Sequence, residues 1–223
     1  MSHRTVDTLP ASEQRIRMSY TEYLNWYGEN ARGEWVDGEV IVFMPPTKLH
    51  QDAMLFLAVV LRHYARFFDL GTVVVAPFEM RLSDRSSRQP DILFVARAHE
   101  GRLTPERLLG PADLAVEFVS PDSVRRDGVD KRDEYAAGGV PEYWLFDARP
   151  QRQRAECSRL VDGRYEPILP DADGRVHSVA LPGFWLRPAW LWQDPLPDPL
   201  DCLDEIAPEL LRRLRWDASA NDV

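Results

Sequence analysis

Cysteine is scarce: Cys157 and Cys202 are the only two in 223 residues. That excludes a disulfide framework and a Cys-rich zinc site. His3, His63, His99 and His177 share no ligand spacing that would replace it. Long apolar runs are missing as well. The longest, Ala53 to Leu61, has nine residues, where a membrane-spanning helix needs about 20. The amino terminus, MSHRTVDTLPASEQRIR, shows no apolar block after its charges and does not read as a signal peptide. A cytoplasmic protein that neither crosses nor binds a membrane is expected. Clustered cations are absent too. The chain carries 27 basic against 36 acidic residues, a net charge of −9, and residues 194–223 set three Arg against eight Asp and Glu. Passive binding along a phosphate backbone needs clustered cations. An enzyme whose metal ion supplies the positive charge locally remains open. Lysine is nearly missing: of the 27 basic residues only Lys48 and Lys131 are Lys.

What is present is an ordinary core composition, 44% apolar and 28% charged, enough for one sizeable domain. Ser19-Tyr20-Thr21-Glu22 is a capping box, followed by Tyr20, Tyr23, Leu24 and Tyr27 on one helical stripe. EWVDGEVIVFM reads as two strands around Asp37-Gly38, a type I′ hairpin signal. In that register Glu34, Val36, Glu39 and Ile41 share a face. A long helix is expected from about Leu49 to Leu70. Strands follow at 72–75, 78–82 and 91–95, with the polar run 83–89 as a loop. A short helical piece is expected at 104–109, and a buried strand at Leu114–Ser120. A helix should run from Asp127 to about Ala137, then a strand over 142–146, a hairpin at Asp162-Gly163, and a last strand near 175–181. Pro-rich PLPDPL leads to a small helix at about 203–215. Strands interleaved with helices predict an α/β fold, a mixed β-sheet flanked by helices with an N-terminal helix and hairpin. The expected division is a tail over 1–17, one domain over 18–193, and a linker with a C-terminal helix over 194–223.

Three residues carry candidate chemistry. Asp91 follows Pro90 at the head of an apolar strand, Glu117 interrupts the apolar strand LAVEFV, and Lys131 lies on the next helix. A carboxylate among buried aliphatics is costly unless it is paired or binds a metal. Two acids at neighbouring strand ends beside an ammonium suit a hard divalent cation and an activated water. Structural alternatives stand beside this reading: an Asx turn at Asp91, a structural ion pair at Glu117, and a solvated Lys131 beside Asp127. For Asp127 itself a helix cap is favoured over a ligand. Tyr135, Tyr143 and Trp144 read as core.

Five segments in one order, EWVDGE, Pro45-Pro46-Thr47-Lys48-Leu49-His50, Pro90-Asp91-Ile92, Val116–Pro121 and Asp127-x-x-x-Lys131-x-x-x-Tyr135-x-x-x-Gly139-Val140-Pro141-Glu142-Tyr143-Trp144, give residues 34–147 a family likeness. They resemble the PD-(D/E)XK nuclease superfamily and, more closely, a large bacterial family of putative restriction endonucleases. The resemblance implies a Mg²⁺-dependent endonuclease acting on DNA, with Mn²⁺ as a substitute. Asp91 and Glu117 would hold the metal with the Phe118 carbonyl, and Lys131 would serve the reacting water or phosphate. Glu39 or Glu34 would be an additional acid, and His50 would touch phosphate or assist proton transfer. The superfamily's Lys, two residues after the second acid, is replaced here by Val119, and the resemblance implies that Lys131 takes its place. A homodimer is expected by analogy. The alternative is a non-catalytic nuclease fold that binds nucleic acid or a protein partner.

Overall fold

The computed structural model describes residues 14–29, 33–42, 46–119, 130–210 and 212. In chain order its strands are β1 (Gln14–Arg17), β2 (Gly33–Val36), β3 (Glu39–Val42), β4 (Gly71–Val75), β5 (Glu79–Ser83), β6 (Ser86–Arg88), β7 (Ile92–Ala96) and β8 (Arg107–Leu109), continuing with β9 (Leu114–Phe118), β10 (Glu142–Asp147), β11 (Arg154–Val161), β12 (Arg164–Pro167), β13 (Val176–His177) and β14 (Trp185–Leu186). The helices are α1 (Tyr20–Glu29), α2 (Lys48–Phe67), α3 (Lys131–Ala137) and α4 (Pro199–Ile206). The expected α/β class holds, but the described strands form two six-stranded mixed sheets rather than one, ordered β1-β3-β2-β6-β5-β8 and β12-β11-β10-β9-β7-β4, with β13 and β14 paired apart from them. No described helix is long and apolar enough to cross a membrane.

The second sheet is covered on both faces, which explains why its inner strands are apolar throughout. Side chains alternate across it. Ile92, Phe94, Leu114, Val116, Phe118, Trp144 and Phe146 pack under α2 with Leu57, Leu61 and Tyr64. Leu93, Val95, Ala115, Val119, Tyr143 and Leu145 face the other way, toward Tyr135 of α3 and Met80 of the first sheet. Glu117 belongs by alternation to this second face, so α3 and the first sheet must supply its partners.

Local signals explain several elements. The Ser19 backbone N–H donates to Glu22 Oε2 at 2.7 Å and the Glu22 N–H to Ser19 Oγ at 3.3 Å, the capping box that opens α1. Asp37 and Gly38 both have positive φ, 50° and 84°, as a type I′ turn requires. The β2–β3 register then pairs Glu34 with Ile41 and Val36 with Glu39, as expected. Asp162 and Gly163 repeat this geometry between β11 and β12.

Other expectations need correction. The run 83–89 contains a strand, β6, paired with both β2 and β5. It escapes apolar periodicity because its buried groups are satisfied by charges: Ser87 Oγ donates to Glu79 at 2.5 Å and Arg88 bonds Glu34. The helical piece at 104–109 is instead a 3₁₀ turn over Arg97–Arg102 followed by β8, which runs parallel to β5. Helix α2 stops at Phe67, where Phe68 caps it and Asp69 turns to positive φ. The strand near 175–181 is only Val176–His177. The C-terminal helix starts at Pro199 rather than about 203, because Asp198 accepts the Leu200 N–H at 2.8 Å and Pro199 suits a first helical turn. It packs against α2 and buries Cys202 and Leu203 in the main core. The expected Asp127 cap lies outside the described residues, and α3 is described from Lys131.

Glu142, from the GVPEYW motif, has a structural task. Its carboxylate is fully buried and accepts from Trp144 Nε1 (2.7 Å), Ser178 Oγ (2.7 Å), Val179 N (3.0 Å) and Ala180 N (2.7 Å). Burial raises its pKa from 4.5, and these donors oppose that shift. The folded chain therefore holds this proton more tightly than the unfolded one. Its contribution to stability is complete below pH 4.5 and is lost as pH climbs through the raised folded value. Denaturant unfolding of wild type and Glu142→Gln, followed from about pH 4 to about pH 7, should show wild type losing ground as pH rises. A pH-independent gap between the two would contradict this.

Candidate functional site

Where the two sheets and α3 meet, the order of the strands brings the acids together. Strand β7 pairs with β9 in antiparallel register, Ile92 opposite Val116. Continued by one residue, this sets Asp91 opposite Glu117 at the strand ends. Cβ atoms of directly opposed residues lie about 4.5–5.5 Å apart. Asp91 is held in place through one oxygen: its Oδ2 accepts from the Phe118 backbone N–H at 2.7 Å and stands 3.2 Å from His50 Nε2. Asp91 Oδ1 makes no hydrogen bond among the described residues, and the side chain is 17% exposed. His50 arrives on the first turn of α2, where Thr47 Oγ accepts its backbone N–H at 3.3 Å. Its ring lies edge-on to Phe118, centroids 5.8 Å apart.

Deeper in, Glu117 Oε1 accepts from Lys131 Nζ at 2.9 Å and from Tyr135 Oη at 2.6 Å. Both donors sit on one face of α3, four residues apart, which is one helical turn. Lys131 Nζ also lies 3.0 Å from Glu34 Oε1 of β2. Glu34 accepts in addition from Arg88 Nη1 and the Gln89 N–H, each at 2.9 Å. Arg88 extends the network to Glu134 of α3, with Nε donating to Oε2 at 2.8 Å and Nη2 bonding Oε1. Glu34, Arg88, Glu117 and Lys131 are all at most 3% exposed.

Electrostatics follow from that burial. Burial pushes the Tyr135 phenol well above its ordinary range, and the charges of Glu117 and Glu34 add to the effect, so its hydroxyl remains a donor. Burial disfavours the Arg88 charge, but Glu34 and Glu134 outweigh it and raise its pKa. Among the described residues four carboxyl side chains (Glu34, Asp91, Glu117, Glu134) lie along this strand-end region with two basic ones, Arg88 and Lys131.

No group of three or more His, Cys, Asp or Glu forms a metal cage among the described residues. The donor set nevertheless fits Mg²⁺, which takes one or two carboxylates and keeps several waters. Asp91 keeps Oδ1 outside the described hydrogen bonds, Glu117 is the second acid, and both are hard oxygen donors.

Of the expected residues, Glu117, Lys131 and Glu34 bond one another, and Asp91 and His50 form a second pair beside Phe118. Glu39 does not: it lies near the hairpin turn, 3.5 Å from Arg15 and 3.4 Å from Arg17. Lys131 is not the solvated helix residue weighed as its alternative. Sequence reasoning missed Arg88, Glu134 and the Tyr135 hydroxyl. The one available signal was the spacing of Lys131, Glu134 and Tyr135 on a single helix face.

A family model described as Uma2, putative restriction endonuclease, matches residues 20–189. No curated protein matches the sequence. Among solved structures the chain is similar to a putative nuclease of DUF820 from Anabaena variabilis ATCC 29413. The TM-score is 0.54 and the identity 18%, over 72% of this chain and 89% of that one. At that identity the likeness speaks for the fold.

Proposed function

Because the chain belongs to the Uma2 family of putative restriction endonucleases, we propose that it is a divalent-metal-dependent endonuclease that hydrolyses phosphodiester bonds of DNA. The family and the nuclease-like fold support a nuclease in the coarse sense. The finer reading is carried by one observation: a buried ammonium, Lys131, sits 2.9 Å from Glu117, the acid that the β7–β9 register sets opposite Asp91.

In this reading Asp91 and Glu117 hold the cation. A bound Mg²⁺ or Mn²⁺ supplies Lewis acidity at the phosphate and lowers the pKa of water. Asp91 is fixed through Oδ2 by the Phe118 N–H, which leaves Oδ1 for the cation. Lys131 and Tyr135 both bond Glu117 Oε1 and orient its carboxylate. Lys131, anchored on Glu34 as well, keeps an ammonium where negative charge grows on the phosphate. His50, beside Asp91, can donate to or take a proton from a phosphate oxygen. Val119 of the missing lysine position packs into the core on the α3 side of the sheet, so that face has no other lysine to offer.

Calorimetric titration of Mn²⁺ into the protein tests the metal reading. Wild type should bind, and Asp91→Asn should lose most of that affinity. Asn keeps an acceptor for the Phe118 N–H while removing the charge, so folding should survive. Equal binding by both proteins would mean that Asp91 is a strand-entry residue and the fold serves as a non-catalytic module.

A further inference from the structure

Helix α3 has a second face. Turned away from Lys131 and Tyr135, its Arg132, Asp133 and Ala136 line an open groove of about 290 Å³ against the tip of the β11–β12 hairpin, with Gly163, Arg164 and Tyr165 opposite. The floor is organised. Tyr165 donates its hydroxyl to the Val140 carbonyl at 2.8 Å and its ring lies beside Tyr143. Arg132 leans over that ring, 5.6 Å from its centroid, and Nη2 donates to the Tyr165 carbonyl at 3.2 Å. Its Nη1 stands 3.9 Å from Glu156. Arg164 is exposed at the rim and makes no ion pair among the described residues.

The groove also has a definite relation to the acids. Strand order places β12 three strands from β9, which carries Glu117. At ~4.8 Å per strand the sideways separation is about 14 Å, and the pairing registers set Arg164 level with Ala112, five residues or about 17 Å along the strand from Glu117. The two sites therefore lie about 22 Å apart, a length that about six nucleotides of one DNA strand cover at ~3.4 Å each. We infer that this groove holds the phosphodiester backbone of the nucleic-acid substrate about six nucleotides from the bond cleaved, through Arg164 at the rim and Arg132 beside Tyr165. The inference rests on the nuclease reading and extends it. An acidic enzyme that neutralises one phosphate with a metal still needs cations for the flanking ones, and α3 joins both sites rigidly. Asp133 on the same lining opposes an anion, so Arg164 carries most of the attraction.

The test uses the full chain, a labelled DNA oligonucleotide and Ca²⁺ to suppress cleavage, with affinity read by fluorescence anisotropy over a series of salt concentrations. Arg164→Glu should weaken binding about tenfold and lower the slope of log K against log salt by about 0.9, the loss of one phosphate contact. Arg164→Lys should retain most of both. Arg62→Glu, exposed on α2 across the sheet, is the control for net charge and should change little. Mn²⁺ affinity should be the same in all four proteins. Equal affinity and slope for wild type and Arg164→Glu, or an equal loss in Arg62→Glu, overturns the groove while leaving the nuclease reading intact. A wild type that neither binds nor cleaves DNA overturns both.

Discussion

Lys131→Arg should lower DNA cleavage about a hundredfold while Mn²⁺ binding persists. The ammonium sits in a closed slot, 4% exposed, bonded at 2.9 Å to Glu117 and at 3.0 Å to Glu34. Arginine keeps the charge, so distant electrostatics barely change. Its guanidinium is wider, planar and more diffuse, and it cannot direct a single N–H along the line the ammonium takes. One preorganised charge contact is worth ~3 kcal/mol, close to a factor of a hundred in rate. The burial adds a second consequence. A larger head group in a packed slot also costs about 1–3 kcal/mol of stability. Cleavage is therefore compared at a temperature well below both melting points. Lys48→Arg is the control, since Lys48 is 88% exposed and pairs with Asp52; it should be silent. Equal cleavage by wild type and Lys131→Arg would reduce Lys131 to a structural counter-ion of Glu34 and Glu117.

Arg88→Met should give the largest loss of stability, about 3–5 kcal/mol, the usual penalty for removing one member of a buried ion network. Its guanidinium, 2% exposed, is the link from β6 to both Glu34 of β2 and Glu134 of α3. Without it Glu34 retains Lys131 and the Gln89 N–H, but buried Glu34 and half-buried Glu134 lose a shared cation. Denaturant unfolding should show the midpoint falling with little change in slope. Lys131 would then face a greater imbalance of negative charge, so activity should fall along with stability. A variant as stable as wild type would mean that the network contributes nothing net, as replacements by well-packed apolar groups sometimes achieve.

How far the sequence foretold this arrangement varied by element. The hairpin at Asp37-Gly38 was legible because type I′ turns demand positive φ at both residues, and α1 because its capping box is local. The apolar strands β7, β9 and β10 announced themselves because both of their faces are covered. Asp91, Glu117 and Lys131 were legible as polar interruptions of that pattern. Strand β6 was not, since its Ser-Ser-Arg is buried by pairing with charges rather than by apolar contact, and periodicity does not register that. Arg88 was hidden with it. Glu34 and Glu39 looked equivalent on one hairpin face; the first sheet buries Glu34 and leaves Glu39 beside Arg15 and Arg17. Tyr135 was expected as core and is core, but its hydroxyl also bonds Glu117, a contact 18 residues away that only tertiary packing reveals. The Pro-rich approach to α4 read as linker because proline in a first helical turn looks the same in sequence as proline in a spacer.

The central claim is metal-dependent DNA cleavage at the Asp91–Glu117–Lys131 cluster. Its most direct measurement is conversion of supercoiled plasmid by purified wild type and Asp91→Asn, side by side, with Mg²⁺, with Mn²⁺ and with EDTA. The account predicts nicked or linear DNA from wild type in either metal, none in EDTA, and at most about one hundredth of the wild-type rate from Asp91→Asn. Cleavage by Asp91→Asn at the wild-type rate, or by wild type in EDTA, would contradict it.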